Sequence, residues 1–405
     1  MGKIPVARMK GKIRRIAVVG LPMLQSVHNL GSVAIANYAE RRGNWRFVLG
    51  AEATVEAFQF LRTVECDGAI VRILSPAMGR EAQKVSVPLI NVSSWLEDPG
   101  VPTIRHDYQS CGRLAAEYLL AKGFRRFGCV MVPGGCIPKR CQMFLETLRQ
   151  HQLEAGVFHL QNPKPFLRQP VSAAEKKRFM DWVRALQPPA ALALMDDWDA
   201  PALMHACREA GLEIPRDLVV ISIGIHNESL ALCPVPLTAV QEDHETQMKA
   251  VVENLEQMMS GRRLPDLLIE VPPLGVVERA STAIPAIENR SVARLVEHLR
   301  AHLCEPINIA AAAAELGVSR GTLDRRFLEE TGQTPHDYLV QQRIQAAKKM
   351  LLAGSTASLE EISRACGFTN RRRLNLVFKQ ITGLLPAQWR QTQIPAPPAV
   401  PDPPP

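Results

Sequence analysis

The sequence predicts a two-lobed α/β domain followed by an all-α domain of two helix-turn-helix units in tandem. Three observations carry this. Continuous Val/Ile/Leu runs alternate with amphipathic stretches from about residue 13 to 280, this rhythm restarts near residue 107, and from about Ile287 the pattern is helical only. Uninterrupted apolar strands between helices mark parallel sheets covered on both faces.

Residues 1–12 read as a basic, disordered arm with no apolar segment behind it, so no secretory signal is expected. Residues 15–20 read as a buried strand, followed by an amphipathic stretch over 27–41. Strands are expected at 47–50, 67–73 and 87–93, with helices at 55–64 and shortly after 73. The second series gives a helix at 107–121, with Asp107 as N-cap and Gly123 as stop. A strand at 126–131 and a helix at 139–151 follow. After a Pro-containing stretch at 161–169 come a helix at 173–186, a strand at 190–195, a helix at 201–210 and a strand at 218–224. Two lobes accommodate this better than one sheet. Ligands of open α/β sheets sit beyond the carboxyl ends of the strands, so a ligand is expected between the lobes of residues 13–280.

Residues 281–289, with Pro285, read as a linker, 290–393 as the helical domain, and 394–405 as a Pro-rich disordered tail. The helical domain contains an internal repeat. Gly317 and Gly367 each follow a short amphipathic helix, Val318 and Phe368 plug the turn, and Ser319 and Thr369 are the expected hydroxyl N-caps of a second helix. Leu323/Phe327 and Leu374/Phe378 recur four apart, fixing one face inward and turning Arg, Asn and Thr outward. Thr331-Gly332-Gln-Thr-Pro335 and Thr382-Gly383-Leu-Leu-Pro386 end both units alike, and 335–352 makes a long connecting helix.

The formal net charge is +8, and it is not evenly spread. Residues 281–393 hold fifteen Lys/Arg against ten Asp/Glu, and the first fifteen residues hold six Lys/Arg and no acid. A basic surplus on the helical domain is what phosphate neutralisation requires. Groove contacts are expected from Ser319, Arg320, Thr322, Asp324 and Arg325 on the first unit, and from Thr369, Asn370, Arg371, Arg372 and Asn375 on the second. Arg pairs with guanine and Asn with adenine, while each arginine has phosphate contact as its alternative. Double-stranded operator DNA is the implied partner.

Residues 290–393 resemble the AraC/XylS-type DNA-binding domain. The resemblance rests on Ile362, Ala365, Cys366-Gly367-Phe368, Leu374, Val377-Phe378-Lys379, Gly383, Pro386 and Trp389-Arg390. Arg371-Arg372-Arg373 and Leu374 depart from the usual pattern there. Residues 13–280 are similar to the LacI/periplasmic sugar-binding fold through Asp67–Arg72, 87–91, His106-Asp107, 112–120, Arg140 with Phe144, Asp196-Asp197-Trp198, Ile214-Pro215, 220–224 and 237–240. That order of domains resembles the xylose operon regulators.

The resemblance implies a transcription regulator, an activator, controlled by a monosaccharide. It also implies a homodimer, with RNA polymerase as a further partner of an activator. The alternative is a constitutive DNA binder whose sensor-like domain only dimerises or senses a non-sugar metabolite. Sugar hydroxyls need paired donors and acceptors with an aromatic face, which nominates His28, Asn29, Arg72, Arg140, Asp197, Trp198, His226, Asn227, Gln241 and Asp243. Ile225-His226-Asn227 stands where the xylose regulators carry an Asp, which leaves the identity of the sugar open.

Catalysis is not expected: Asp196-Asp197 comes with no nucleophile–base constellation or phosphate loop. The nine cysteines contain no C-x-x-C pair and Cys129, Cys136 and Cys141 match no zinc spacing, so no metal and no cofactor are expected. No run approaches the ~20 apolar residues of a membrane span, and a cytoplasmic location follows.

Overall fold

The computed structural model describes residues 13–20, 35, 44–49, 52–131, 137–161, 171–196, 199–224, 232–262, 264, 267–352 and 357–393. The chain divides into two units, Met1–Ala283 and Ile284–Pro405. The expected arm, most of the 27–41 stretch, the 161–169 stretch beyond Gln161, and the tail lie outside the described residues.

The first unit contains two six-stranded sheets. Sheet 1 is built from β1 (Arg14–Val19), β2 (Trp45–Leu49), β3 (Gly68–Val71), β4 (Leu89–Asn91), β5 (Thr103–His106) and the late strand β11 (Leu268–Val271), in the order β2-β1-β3-β4-β5-β11. Sheet 2 repeats the plan with β6 (Phe127–Met131), β7 (Ala155–His159), β8 (Ala190–Leu194), β9 (Leu218–Ser222), β10 (Thr238–Gln241) and β12 (Gly275–Val277), in the order β7-β6-β8-β9-β10-β12. Every pairing is parallel except β10 with β12.

The side-chain alternation of a strand divides each apolar run between two faces. Ile16, Ile70, Ile90 and Ile104 point to one face of sheet 1, where Met248, Val251, Val252 and Leu255 of the helix His244–Met259 cover them. Ala17, Val19, Ala69 and Val71 point to the other, against Phe58 and Leu61 of Val55–Leu61 (α1) and Ala82 of Pro76–Ala82 (α2). In sheet 2, β8 and β9 are buried throughout. The helices of this lobe are α3 (Tyr108–Ala121), α4 (Ile137–Gln150), α5 (Ala173–Arg184) and α6 (Ala200–Glu209). The His244–Met259 helix is α7.

α3 and α4 touch closely because Gly112 has no side chain: a Cβ there would collide with the Arg140 carbonyl oxygen. Asp107 is the N-cap of α3, accepting from the Ser110 N–H at 2.9 Å. The chain crosses between lobes three times, after His106, after Gln241 and between Val271 and Gly275.

The expected linker residues are not all loose. Ser281 is fully buried, donating to the Val220 carbonyl at 2.6 Å and accepting from the Thr238 N–H at 2.8 Å, so the α/β fold runs on through the turn at Ala280–Thr282. Ile284 and Ile287 are buried in the second unit.

That unit is α8 (Arg290–Ala301), α9 (Ile309–Glu315), α10 (Arg320–Thr331), α11 (Pro335–Leu352), α12 (Leu359–Ala365), α13 (Arg371–Thr382) and α14 (Pro386–Gln393). It has two small cores joined by α11. Leu323, Phe327 and Tyr338 close the first with Val292, Leu295 and Leu299; Leu374, Val377 and Phe378 close the second with Ile344, Ala347 and Leu351. Gly332 and Gly383 end α10 and α13 at φ 71° and 78°, in the left-handed region where glycine is favoured.

One expectation is corrected. Ser319 caps α10 as expected, but Thr369 does not cap α13: Asn370 does, its carboxamide oxygen accepting from the Arg373 N–H at 2.9 Å. The second unit has one more residue between its turn glycine and its second helix, and Asn is the stronger cap.

Candidate ligand site and nucleic-acid interface

The carboxyl ends of the strands collect one group of polar side chains. Arg72 follows β3, His106 ends β5, Met195 follows β8 and Glu242 follows β10. Arg140, on α4, is buried at their meeting point. It donates to the Met195 carbonyl at 3.0 Å and to Glu242 Oε1 at 2.5 Å, and its guanidinium lies 4.1 Å from the ring centre of Tyr108. Tyr108 Oη in turn accepts from Ser94 Oγ at 2.6 Å.

Burial is the largest influence on Arg140 and opposes its charge, but Glu242, Tyr108, Cys111 and Asp196 together outweigh it, so the guanidinium is held above its ordinary value. Burial lowers Arg72. Burial also pulls the His106 imidazolium down to about 4, against the attraction of Glu242, so its ring is neutral at neutral pH. His106 Nε2 lies 3.1 Å from His244 Nδ1 and 3.6 Å from Glu242 Oε2. Two buried polar atoms at this junction, Arg140 Nε and His106 Nδ1, have no hydrogen-bond partner among the described residues.

Of the ligand residues expected from sequence, Arg140 sits at this junction, and Arg72, just after β3, feels the same Tyr108 that packs on Arg140. Asp243 stands beside them but caps α7, accepting from the Thr246 N–H at 2.9 Å, and Gln241 is exposed. His28, Asn29, Asp197, Trp198, His226 and Asn227 lie outside the described residues. Sequence reasoning missed Tyr108, His106, Glu242 and His244. The strand alternation held the signal for one of them, since Val240 and Glu242 are buried and Gln241 between them is not.

In the second unit, Arg320, Arg325, Arg371 and Arg372 are all exposed. Arg320 reaches Asp324 at 3.5 Å and Arg325 reaches Glu329 at 2.8 Å, so on α10 the cations have acidic neighbours one turn on. Ser319 and Thr322 share a hydroxyl–hydroxyl bond of 2.8 Å. α13 opens instead with Arg371, Arg372 and Arg373 in succession, all exposed, Arg373 not being among the groove contacts expected from sequence. Asn375 is half-buried and its Oδ1 has no partner among the described residues.

Residues 99–282 match the periplasmic binding protein-like domain and residues 312–392 match a helix-turn-helix domain. A xylose operon regulatory protein of Escherichia coli strain K12 is 26% identical over 334 residues, covering 80% of this chain and 83% of that protein. The transcriptional activator RhaR of Escherichia coli is 34% identical over 97 residues, 24% of this chain and 34% of RhaR. The structure of a xylose-binding transcription activator superposes with a TM-score of 0.70 at 23% identity, covering 94% of this chain and 98% of that one. A dimeric Lac repressor superposes on 67% of this chain and 99% of its own, with a TM-score of 0.53 at 20% identity.

No helix among the described residues is long and apolar enough to cross a membrane. The relatives are transcription regulators and not enzymes. This chain is a DNA-binding regulator with a periplasmic binding protein-like domain over residues 99–282 and a helix-turn-helix domain over residues 312–392, related over four fifths of its length to the xylose operon regulatory proteins.

Proposed function

We propose that the chain is a transcription activator controlled by a monosaccharide, a pentose such as xylose or a close analogue, bound between the lobes of the first unit. The observation that carries this reading is the buried junction of Arg140, Tyr108, His106 and Glu242 at the carboxyl ends of the strands, with Arg140 Nε and His106 Nδ1 lacking protein partners among the described residues. Buried polar atoms without partners cost free energy, and a polyhydroxylated ring lying against an aromatic face supplies both donors and acceptors. The position agrees with the rule that open α/β sheets bind ligands beyond their strand ends.

Control follows if the sugar favours one arrangement of the lobes and that arrangement changes operator affinity. The arginines that open α13 supply the DNA contacts. A homodimer on paired half-sites, with RNA polymerase contacted at the promoter, completes the reading.

Thermal-shift measurements with a panel of pentoses and hexoses test the sensor. A cognate sugar at 100 times its Kd stabilises the native state by about 2.7 kcal/mol. Operator binding by fluorescence anisotropy, with and without that sugar, then tests control. Equal operator affinity in the presence of every stabilising sugar overturns sugar control, and stabilisation by a non-sugar metabolite alone reassigns the site.

A further inference from the structure

Two of the three crossings between the lobes bring together side chains that the proposed sugar site does not use in full. His106 ends β5, and Glu242 and His244 flank the cap of α7, 138 residues further along the chain in the case of His244. One donor atom from each of the three lies within 4.8 Å of the others. His106 Nε2 is 3.1 Å from His244 Nδ1 and 3.6 Å from Glu242 Oε2, and His244 Nε2 is 3.8 Å from Glu242 Oε2. Ligand atoms about 2.0–2.1 Å from a tetrahedral ion stand about 3.4 Å apart. His106 Nε2 stands near this spacing from both of its neighbours, and a turn of the half-buried His244 ring brings one of its nitrogens to the same spacing from Glu242 Oε2.

We propose that His106, Glu242 and His244 bind one Zn2+-class transition-metal dication, which clamps the first two crossings of the hinge together. The donor set is two imidazoles and one carboxylate, which suits zinc and leaves a fourth position for a water or an effector oxygen. Hard cations such as Mg2+ and Ca2+ need shells rich in oxygen, and this cluster offers them one carboxylate. Arg140 holds Glu242 by Oε1 and so leaves Oε2 toward the imidazoles, the part that an outer-shell partner plays in orienting a ligand. His106 and Glu242 are buried while His244 is half-exposed, so an ion has a way in past His244. The sequence reading expected no metal because the three ligands come from segments too far apart for any spacing motif.

The test uses the full chain and metal alone, without any sugar, so that its failure is separate from failure of the sugar reading. Zn2+ binding is measured by titration against a competing chelator, and Co2+ binding by the visible absorption of a tetrahedral site. Uptake of one ion per chain is expected, with loss of the Co2+ band and weakening of Zn2+ binding by about 100-fold or more in His244→Gln, beyond the usual cost of losing an outer-shell partner. His244→Cys restores Co2+ binding with a thiolate charge-transfer band, which keeps the test decisive if the Gln variant melts early.

His298 and His302 on and just after α8, with ring centres 4.6 Å apart, are the competing surface site. The variant with both His298→Gln and His302→Gln is expected to keep the ion. No uptake by the native chain, uptake unchanged in His244→Gln, or uptake lost with His298 and His302 overturns the proposal.

Discussion

Arg140 Nη2 donates to Glu242 Oε1 at 2.5 Å, joining a helix of the second lobe to the crossing that returns to the first, and both side chains are buried. Removing one partner of such a pair leaves the other charged, buried and uncompensated. Glu242→Gln is therefore expected to lower the unfolding free energy by about 3–5 kcal/mol, read from urea unfolding. Arg140→Met combined with Glu242→Leu should recover most of that loss. Equal destabilisation by the single and double variants would count against the pair.

Gly112 sets the distance between α3 and α4. Its replacement by Ala puts a methyl group into the Arg140 carbonyl oxygen, so α4 must move and carry Arg140 with it. The expected loss is about 1–3 kcal/mol, the ordinary cost of overpacking, together with weaker effector binding in the thermal-shift assay. Ala at Gly211, where a Cβ would meet nothing within 4 Å but φ is +84°, tests backbone strain without the collision and should leave effector affinity as it is.

Asp199 precedes α6 with no capping bond from its side chain. Burial, with the charges of Asp196 and Glu175 adding to it, raises its carboxyl to about 6. The folded state then holds a proton that the unfolded state releases between about pH 4 and 6, so this residue's contribution is full below pH 4 and is lost as pH rises through 6. Asp199→Asn should raise Tm at pH 7.5 and have no such effect at pH 4. A gain of the same size at both pH values would show that charge is not the cause.

Asn370 and Thr369 separate capping from its neighbour. Asn370→Ala is expected to cost about 1 kcal/mol and Thr369→Ala a few tenths, measured by thermal unfolding at the transition of the helical unit.

Arg372 has its two like-charged neighbours on α13 and is exposed. Arg372→Ala should weaken binding to an operator recovered by in vitro selection and reduce the salt slope of log K by about 1. Unchanged affinity and slope would remove Arg372 from the interface. Arg325, bridged to Glu329, should matter less.

The helical unit was legible because its constraints are local. Gly332, Gly383, Pro335, Pro386 and the four-residue spacing of Leu374 and Phe378 each act within one turn or helix, so the sequence displays them in order. The parallel sheets were legible for a similar reason, since β8 and β9 are buried on both faces and read as unbroken apolar runs. Thr369 misled because a hydroxyl at the expected offset looks like a cap, and a one-residue insertion cannot be seen until the helix start is fixed. The hinge cluster was hidden more deeply. His106 and Glu242 become neighbours through two sheets and the first two crossings, and neither residue type, alone at a strand end, marks a site.

The late strand β11 also bears on how the protein comes into being. It is the sixth strand of sheet 1, and Arg105 of β5 finds its acid there, donating to Glu270 Oε1 at 2.9 and 2.8 Å. Those partners are 165 residues apart. While the ribosome makes the second lobe, the first stands with the face that α7 will cover still open and a buried guanidinium without its carboxylate. Completion of the amino-terminal lobe is thus timed by the end of the α/β segment, and a chain cut short before Leu268 leaves the earlier half without β11 as well as the later half without β12.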